Sequence, residues 1–504
     1  EFYNLGHMVE GAVAYYQATG KRNFLDIAIR YADCVCKNIG EGPGQKRVIP
    51  GHQIAEMALV RLYMVTGDKK YLDQAKFFLD ARGTTARKDI YLQSHKPVLE
   101  QDEAVGHAVR AGYMYSGMAD VAAITGDSSY VRAIDRIWEN IVGKKIYITG
   151  GIGARHEGEA FGDNYELPNL TAYNETCAAI GNVYTNYRLF LLHGDAKYFD
   201  VLERTLYNGL ISGVSLDGGR FFYPNPLACD GKYRFNADHT ITRQPWFGCA
   251  CCPSNISRFI PSLPGYVYAV KDDKVYVNLF LSNRAKLKVN GKNVVLEQET
   301  SYPWNGDIRL TVAKGNQPFV MNVRIPGWVR GCVLPGGLYS YADGEELAYR
   351  VSVNGQEVKG ALQKGYLSID RHWKKGDVVE IHFDMQPRVV KANDKVAANR
   401  GRVAIEHGPL VYCAEWPDND FDISTLLLNR HPKFQVVEHP DLLGGINEIT
   451  TRAQALSYDA TGRLAAKDVK LTLIPYYAWA HRGEGRMEVW LPIEVGAASA
   501  ELQE

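Results

Sequence analysis

Residues 51–81 read GHQIAEMALVRLYMVTGDKKYLDQAKFFLDA, two apolar-periodic runs divided by Thr66, Gly67 and Asp68. Apolar side chains at i, i+3 and i+4 on either side of the break predict two helices, with the glycine capping the first. The unit recurs, which is the signature of stacked helical hairpins. GHMVEGAVAYYQATGKRNFLDIAIRYADCV at 6–35 precedes it, and GHAVRAGYMYSGMADVAAITGDSSYVRAIDRIWENIV at 106–142 follows it. A degenerate fourth copy runs over 175–213. The pattern gives about nine helices before residue 265, whereas a closed ring of six hairpins, an (α/α)6 barrel, takes about twelve. The chain opens EFYNLGHMVE, with neither methionine nor a signal-like pattern, so further helices are expected upstream of it. His7, His52 and His107 open the first helix of three successive copies. Equivalent positions in a ring converge on one end, which makes these histidines candidates for a shared pocket.

After Tyr266 the period changes to two. KVYVNLFLS, DIRLTVA, FVMNVRIPGW, YRVSVNGQEV and DVVEIHF read as strands, with Val379, Ile381 and Phe383 on one face and Glu380 and His382 on the other. Asn290-Gly291 and Asn354-Gly355 are hairpin turns. Short antiparallel strands in this number predict a β-sandwich. The expected organisation is a helical domain over 1–265, a β-sandwich over 266–418 and a β-rich domain over 419–504.

Lys plus Arg equals Asp plus Glu at 57 each, so no global field favours nucleic acid or an anionic membrane. The sequence contains no apolar run of about 18 residues, the length a membrane-spanning helix needs. A small or neutral partner is the remaining expectation, and 31 tyrosines suit sugar rings as well as cores.

Nine cysteines in 504 residues do not make a disulfide framework, but WFGCACCPSN at 246–255 places three of them within four positions. Adjacent cysteines bridge poorly, because a disulfide wants its Cα atoms about 4.4–6.8 Å apart. Metal binding or thiolate chemistry fits better. Cys251 and Cys252, with Glu175 and Cys177 of NETC, offer three sulfurs and a carboxylate, a set zinc accepts. Residues i and i+2 point apart on a helix and together on an extended chain, so Glu175 and Cys177 can share a metal only where the backbone is irregular. Cys249 is an alternative ligand to Cys251. The same residues would serve a structural zinc knot in a non-catalytic sugar-binding protein, or a zinc-bound thiolate nucleophile in an enzyme. An epimerase or lyase would rely on His and Tyr and has no need of the cysteines.

GGIGARHEGEAFGDNYELPN at 150–169, NETC at 174–177, FFYPNP at 221–226 and CACCPSN at 249–255, in this order, resemble the β-L-arabinofuranosidases of glycoside hydrolase family 127. The resemblance continues through IPGW at 325–328, GYLSIDRHWKKGD at 365–377 and RVAIEHGPLVYCAE at 402–415. It implies an (α/α)6 barrel followed by antiparallel β-sandwich domains, and a zinc ion held by Glu175, Cys177, Cys251 and Cys252. It further implies Cys251 as nucleophile, Glu159 as general acid/base, and His7, His52, His107, Glu203 and Tyr223 as substrate contacts. By chemistry alone, Glu157, Asp163 and Glu166 compete with Glu159. The implied activity is retaining exo-hydrolysis of terminal β-L-arabinofuranosyl residues, on small carbohydrates such as plant arabinoglycan fragments. The alternative is another sugar on the same scaffold. Homodimer formation is left open, as is the choice between a bacterial cytoplasm and periplasm.

Overall fold

The computed structural model describes residues 1–499, which fall into two compact units. One contains Glu1–Ile146, Ile152–Asn164 and Gly181–His193; the other contains Tyr147–Gly151, Tyr165–Ile180 and the chain from Gly194 onward.

In the first unit the repeat is realised as three hairpins: α1 (Phe2–Thr19) with α2 (Asn23–Asn38), α3 (Ile54–Thr66) with α4 (Lys69–Ala81), and α5 (Ala108–Thr125) with α6 (Ser128–Asn140). The Thr-Gly-Asp tripeptide is the device that folds them. Gly67 sits at φ 75°, a left-handed conformation that favours glycine, and its N–H donates to the Tyr63 carbonyl. Thr66 donates its hydroxyl to the Leu62 carbonyl and accepts from the Asp68 N–H. Asp68 in turn accepts from the Lys70 N–H as the cap of α4. Thr125, Gly126 and Asp127 repeat every one of these bonds. The first copy has Lys21 in place of Asp, and α2 has no side-chain cap.

The leading helices α3 and α5 are buried along most of their length, while α2 and α4 bury one face. Close approach requires small residues here. A Cβ on Gly6 would lie 2.6 Å from Ile54, and one on Gly112 would lie 3.1 Å from Gly181.

The second unit is mostly antiparallel sheet. A six-stranded sheet runs Gln356–Glu357, Tyr349–Val353, Val378–Phe383, Asp307–Lys314, Lys292–Thr300, Asn283–Val289. A four-stranded sheet is made of Tyr366–Lys374, Asn316–Arg324, Lys274–Val277 and Tyr268–Lys271. Val379, Ile381 and Phe383 are buried and Glu380 exposed, as the alternation predicts. The two Asn-Gly pairs have positive φ at both residues, the conformation of a tight hairpin turn. One pair departs from the antiparallel expectation: Lys274–Val277 runs parallel to Val320–Val323. An eleven-stranded sheet takes most of its strands from Pro387 onward.

These sheets hold segments that lie between Cys177 and the 246–255 cysteine run in the sequence. Ala228–Asp230 pairs with Arg486–Glu488. In α8 (Lys197–Arg204), Asp200 and Glu203 meet the guanidinium of Arg324 at 2.9 and 2.5 Å, and Arg204 pairs with Glu406. Removing one partner of a buried pair of this kind costs about 3–5 kcal/mol.

Candidate active site

Glu175 precedes α7 (Thr176–His193), and Cys177 is the second residue of that helix. The irregularity expected before the helix is present, since Asn174 stands at φ 42°. Cys251 and Cys252 are the first two residues of α9 (Cys251–Phe259). All three thiols therefore lie in first turns of helices, where unpaired N–H groups and the positive dipole end favour an anion.

One ligand atom from each of Glu175, Cys177, Cys251 and Cys252 lies within 4.8 Å of the others. Cys177 Sγ is 3.5 Å from Cys252 Sγ, and Cys251 Sγ is 3.9 Å from Cys252 Sγ. Glu175 Oε1 is 3.5 Å from Cys251 Sγ and 3.7 Å from Cys252 Sγ. The set can hold a metal ion. Cys249, the alternative ligand, is exposed and outside the group.

Burial separates the sulfurs. Glu175, Cys177 and Cys252 are buried, whereas Cys251 is half-buried, the one member of the set that reaches the surface. Burial pushes the Cys177 and Cys252 thiols well above their usual range. Cys251 is held far below it by hydrogen bonds from Cys177 and Cys252, with a further contribution from Tyr223. The Tyr223 hydroxyl is 3.1 Å from its sulfur. Hydrogen bonding thus favours the thiolate form at the accessible sulfur.

The first unit contains a second group. Arg155 and Ala160 exchange backbone hydrogen bonds, closing a tight turn that places Glu159 at φ 50°. Its Oε2 lies 2.7 Å from His107 Nε2. His107 caps α5, its Nδ1 accepting from the Val109 N–H at 3.2 Å. An Nδ1 occupied as an acceptor leaves the proton on Nε2, aimed at Glu159. His52 is 6.4 Å from His107 between ring centroids, and Tyr3 touches both His52 and His7. The three histidines do converge, although His7 lies inside α1 and His52 just ahead of α3. Burial and the nearby Arg110 push His52 well below its usual pKa, so it is neutral. Glu157 is exposed and Asp163 pairs with Arg155, which distinguishes both from Glu159.

Glu203 has a different setting from the other expected contacts. It is 1 % exposed, with Oε1 engaged by Arg324 and by the Tyr302 hydroxyl at 2.8 Å, the environment of a structural ion pair.

Residues 1–265 match the GH127 β-L-arabinofuranosidase catalytic domain, 274–385 the middle domain and 387–492 the family's C-terminal domain. The chain belongs to glycoside hydrolase family 127. It is 36 % identical over 536 residues to a non-reducing end β-L-arabinofuranosidase of Bifidobacterium longum subsp. longum, covering 97 % of this chain and 78 % of that protein. A solved GH127 β-arabinofuranosidase, BT3674, is 76 % identical with a TM-score of 0.95, over 98 % of this chain and 77 % of that one. Ara127N, a GH127 β-L-arabinofuranosidase from Geobacillus stearothermophilus T6, is 41 % identical with a TM-score of 0.90, over 98 % and 80 %.

Two supporting residues of this family 127 chain escaped the sequence reading. Asn255 donates its amide to Cys177 Sγ at 2.9 Å, and its position four residues beyond Cys251, on the same face of α9, was the available signal. Arg243 is buried and donates to the carbonyls of Ser212, Tyr477 and Trp479, just ahead of the cysteine loop. No local pattern marks an arginine whose partners are backbone atoms distant in sequence.

Proposed function

We propose that the chain is a retaining exo-β-L-arabinofuranosidase acting on plant arabinoglycan fragments, with Cys251 as nucleophile, Glu159 as acid/base and zinc as its metal. The observation that carries this reading is the grouping of Glu175, Cys177, Cys251 and Cys252 with Cys251 alone short of full burial. Tetrahedral zinc with bonds of about 2.3 Å to sulfur and 2.0 Å to oxygen sets edges of about 3.8 Å between sulfurs and 3.5 Å from sulfur to oxygen. The separations of 3.5 and 3.9 Å between sulfurs, and 3.5 and 3.7 Å from sulfur to oxygen, fit that polyhedron. Glu175, Cys177, Cys251 and Cys252 would hold the ion. When bound, zinc supplies positive charge that keeps the sulfurs deprotonated and makes a sulfur a better leaving group.

The Cys251 thiolate attacks the anomeric carbon while Glu159 gives its proton to the departing glycosidic oxygen, leaving the sugar joined to sulfur through a thioether. Glu159, now a carboxylate, then takes a proton from water, whose oxygen displaces the sulfur at the same carbon. Two displacements retain the configuration. Tyr223 donates to the Cys251 thiolate and fixes its direction of approach. His107 donates to Glu159 and orients it. His7 and His52 offer hydrogen-bonding nitrogens to sugar hydroxyls; the Nδ1 of His52 is buried without a partner among the described residues.

The test is the anomer released first, observed by NMR during hydrolysis of an aryl β-L-arabinofuranoside. The β anomer appearing before mutarotation supports double displacement, and the α anomer first would overturn it.

A further inference from the structure

The loop that delivers the cysteines is pinned on both sides of one exposed indole. Gln244 exchanges backbone hydrogen bonds with Phe221 at 2.7 and 2.9 Å. Phe247 is buried, its ring centroid 5.8 Å from that of Tyr223, the residue whose hydroxyl faces Cys251. Cys251 then begins α9. Between these anchors Trp246 is 60 % exposed, with Pro245, Gly248 and Cys249 exposed around it.

An isolated exposed aromatic needs no explanation of its own. The setting of Trp246 does distinguish it. Its neighbour Phe247 is buried edge-on against Tyr223, so the backbone that carries the indole is anchored at the adjacent residue. Cys251 follows it by five positions, which limits their Cα separation to about 17 Å. Glu175, Cys177 and Cys252 are buried, so Cys251 attacks from the closed side, and in-line displacement puts the departing group on the far side of the anomeric carbon from its sulfur, toward the open side. Trp246 is the large apolar surface that this loop presents on the exposed side.

We propose that Trp246 is a specificity-determining residue: it forms the platform for the leaving-group sugar, stacking against the apolar C–H face of the residue to which the terminal arabinofuranose is linked. This rests on the reading of Cys251 as nucleophile. Indole faces bury apolar sugar surface well, and the flat ring loses little conformational freedom on binding.

The experiment compares kcat/KM of the wild type, Trp246→Ala and Trp246→Phe on two substrates, methyl β-L-arabinofuranoside and a disaccharide with a non-reducing β-L-arabinofuranosyl residue. The alanine variant should lose about two- to tenfold more on the disaccharide than on the methyl glycoside, through KM, since only the disaccharide places a second sugar ring against the indole. Phenylalanine should restore most of that difference. Equal losses on both substrates, or none on either, overturn the platform while leaving the assigned activity standing. A wild type that hydrolyses neither glycoside overturns the arabinofuranosidase reading and the platform with it.

Discussion

Three of the four members of the Glu175, Cys177, Cys251 and Cys252 cluster are buried, and its sulfurs approach one another to 3.5 Å. Glu159 and His107 also meet at short range, 2.7 Å, but through a hydrogen bond from the imidazole Nε2–H, with 30 % of the Glu159 side chain in water. The first arrangement gathers groups that repel each other once deprotonated, so it calls for a cation. The second is satisfied by its own hydrogen bonds. Both sit on strained backbone, with positive φ at Asn174 and at Glu159, which suits sites where position outweighs comfort. The contrast implies that damage to a buried sulfur of the cluster, Cys177 or Cys252, reaches metal content and stability, whereas damage to Cys251 or Glu159 reaches chemistry.

Substitutions can break this contrast. Cys251→Ser removes the thiolate while keeping a small polar group at the helix start, and turnover should fall by about 10⁴-fold or more, as for other covalent nucleophiles. Circular dichroism and metal content should stay near wild type. Glu159→Gln should cost about 10²–10⁴-fold on an alkyl glycoside and much less on an aryl glycoside with an acidic phenol, with an unchanged melting temperature. Equal losses on both substrates would move the acid role to another carboxylate.

Cys177→Ser sharpens the comparison from the other side. It should leave activity low by weakening metal binding, and it should lower stability by about 3 kcal/mol, since it disrupts a buried set of interacting groups. A variant that keeps about one zinc per chain at the wild-type melting temperature would contradict the assigned ligand set. The smallest effect belongs to the hairpin turns. Asp68→Ala removes the α4 cap and should cost about 1 kcal/mol in thermal unfolding, with kcat/KM within about twofold of wild type. A larger change in kcat/KM would show that the hairpins are coupled to the chemistry.

The Thr-Gly-Asp turns were legible because each of their bonds is local, spanning two to four residues. The alternation at Val379, Ile381 and Phe383 was legible for the same reason. The cysteine set was legible by chemical type, since three sulfurs and a carboxylate have few uses. Chemical type alone left its membership open between Cys249 and Cys251; the family resemblance pointed to Cys251, and the fold leaves Cys249 exposed while bringing Cys251 Sγ to 3.9 Å from Cys252 Sγ. Long-range polar partners were the hardest to read. Arg324 is 121 residues from Glu203, and nothing near either one in the sequence announces the pair.

In the proposed mechanism Cys251 carries the sugar. This role is tested most directly by peptide mass spectrometry of the Glu159→Gln variant quenched during turnover of an activated aryl β-L-arabinofuranoside. Without its base the second step stalls, and the peptide containing Cys251 should gain the mass of one anhydropentose, a bond stable to the quench. An unmodified Cys251 peptide, or the added pentose on another residue, would contradict it.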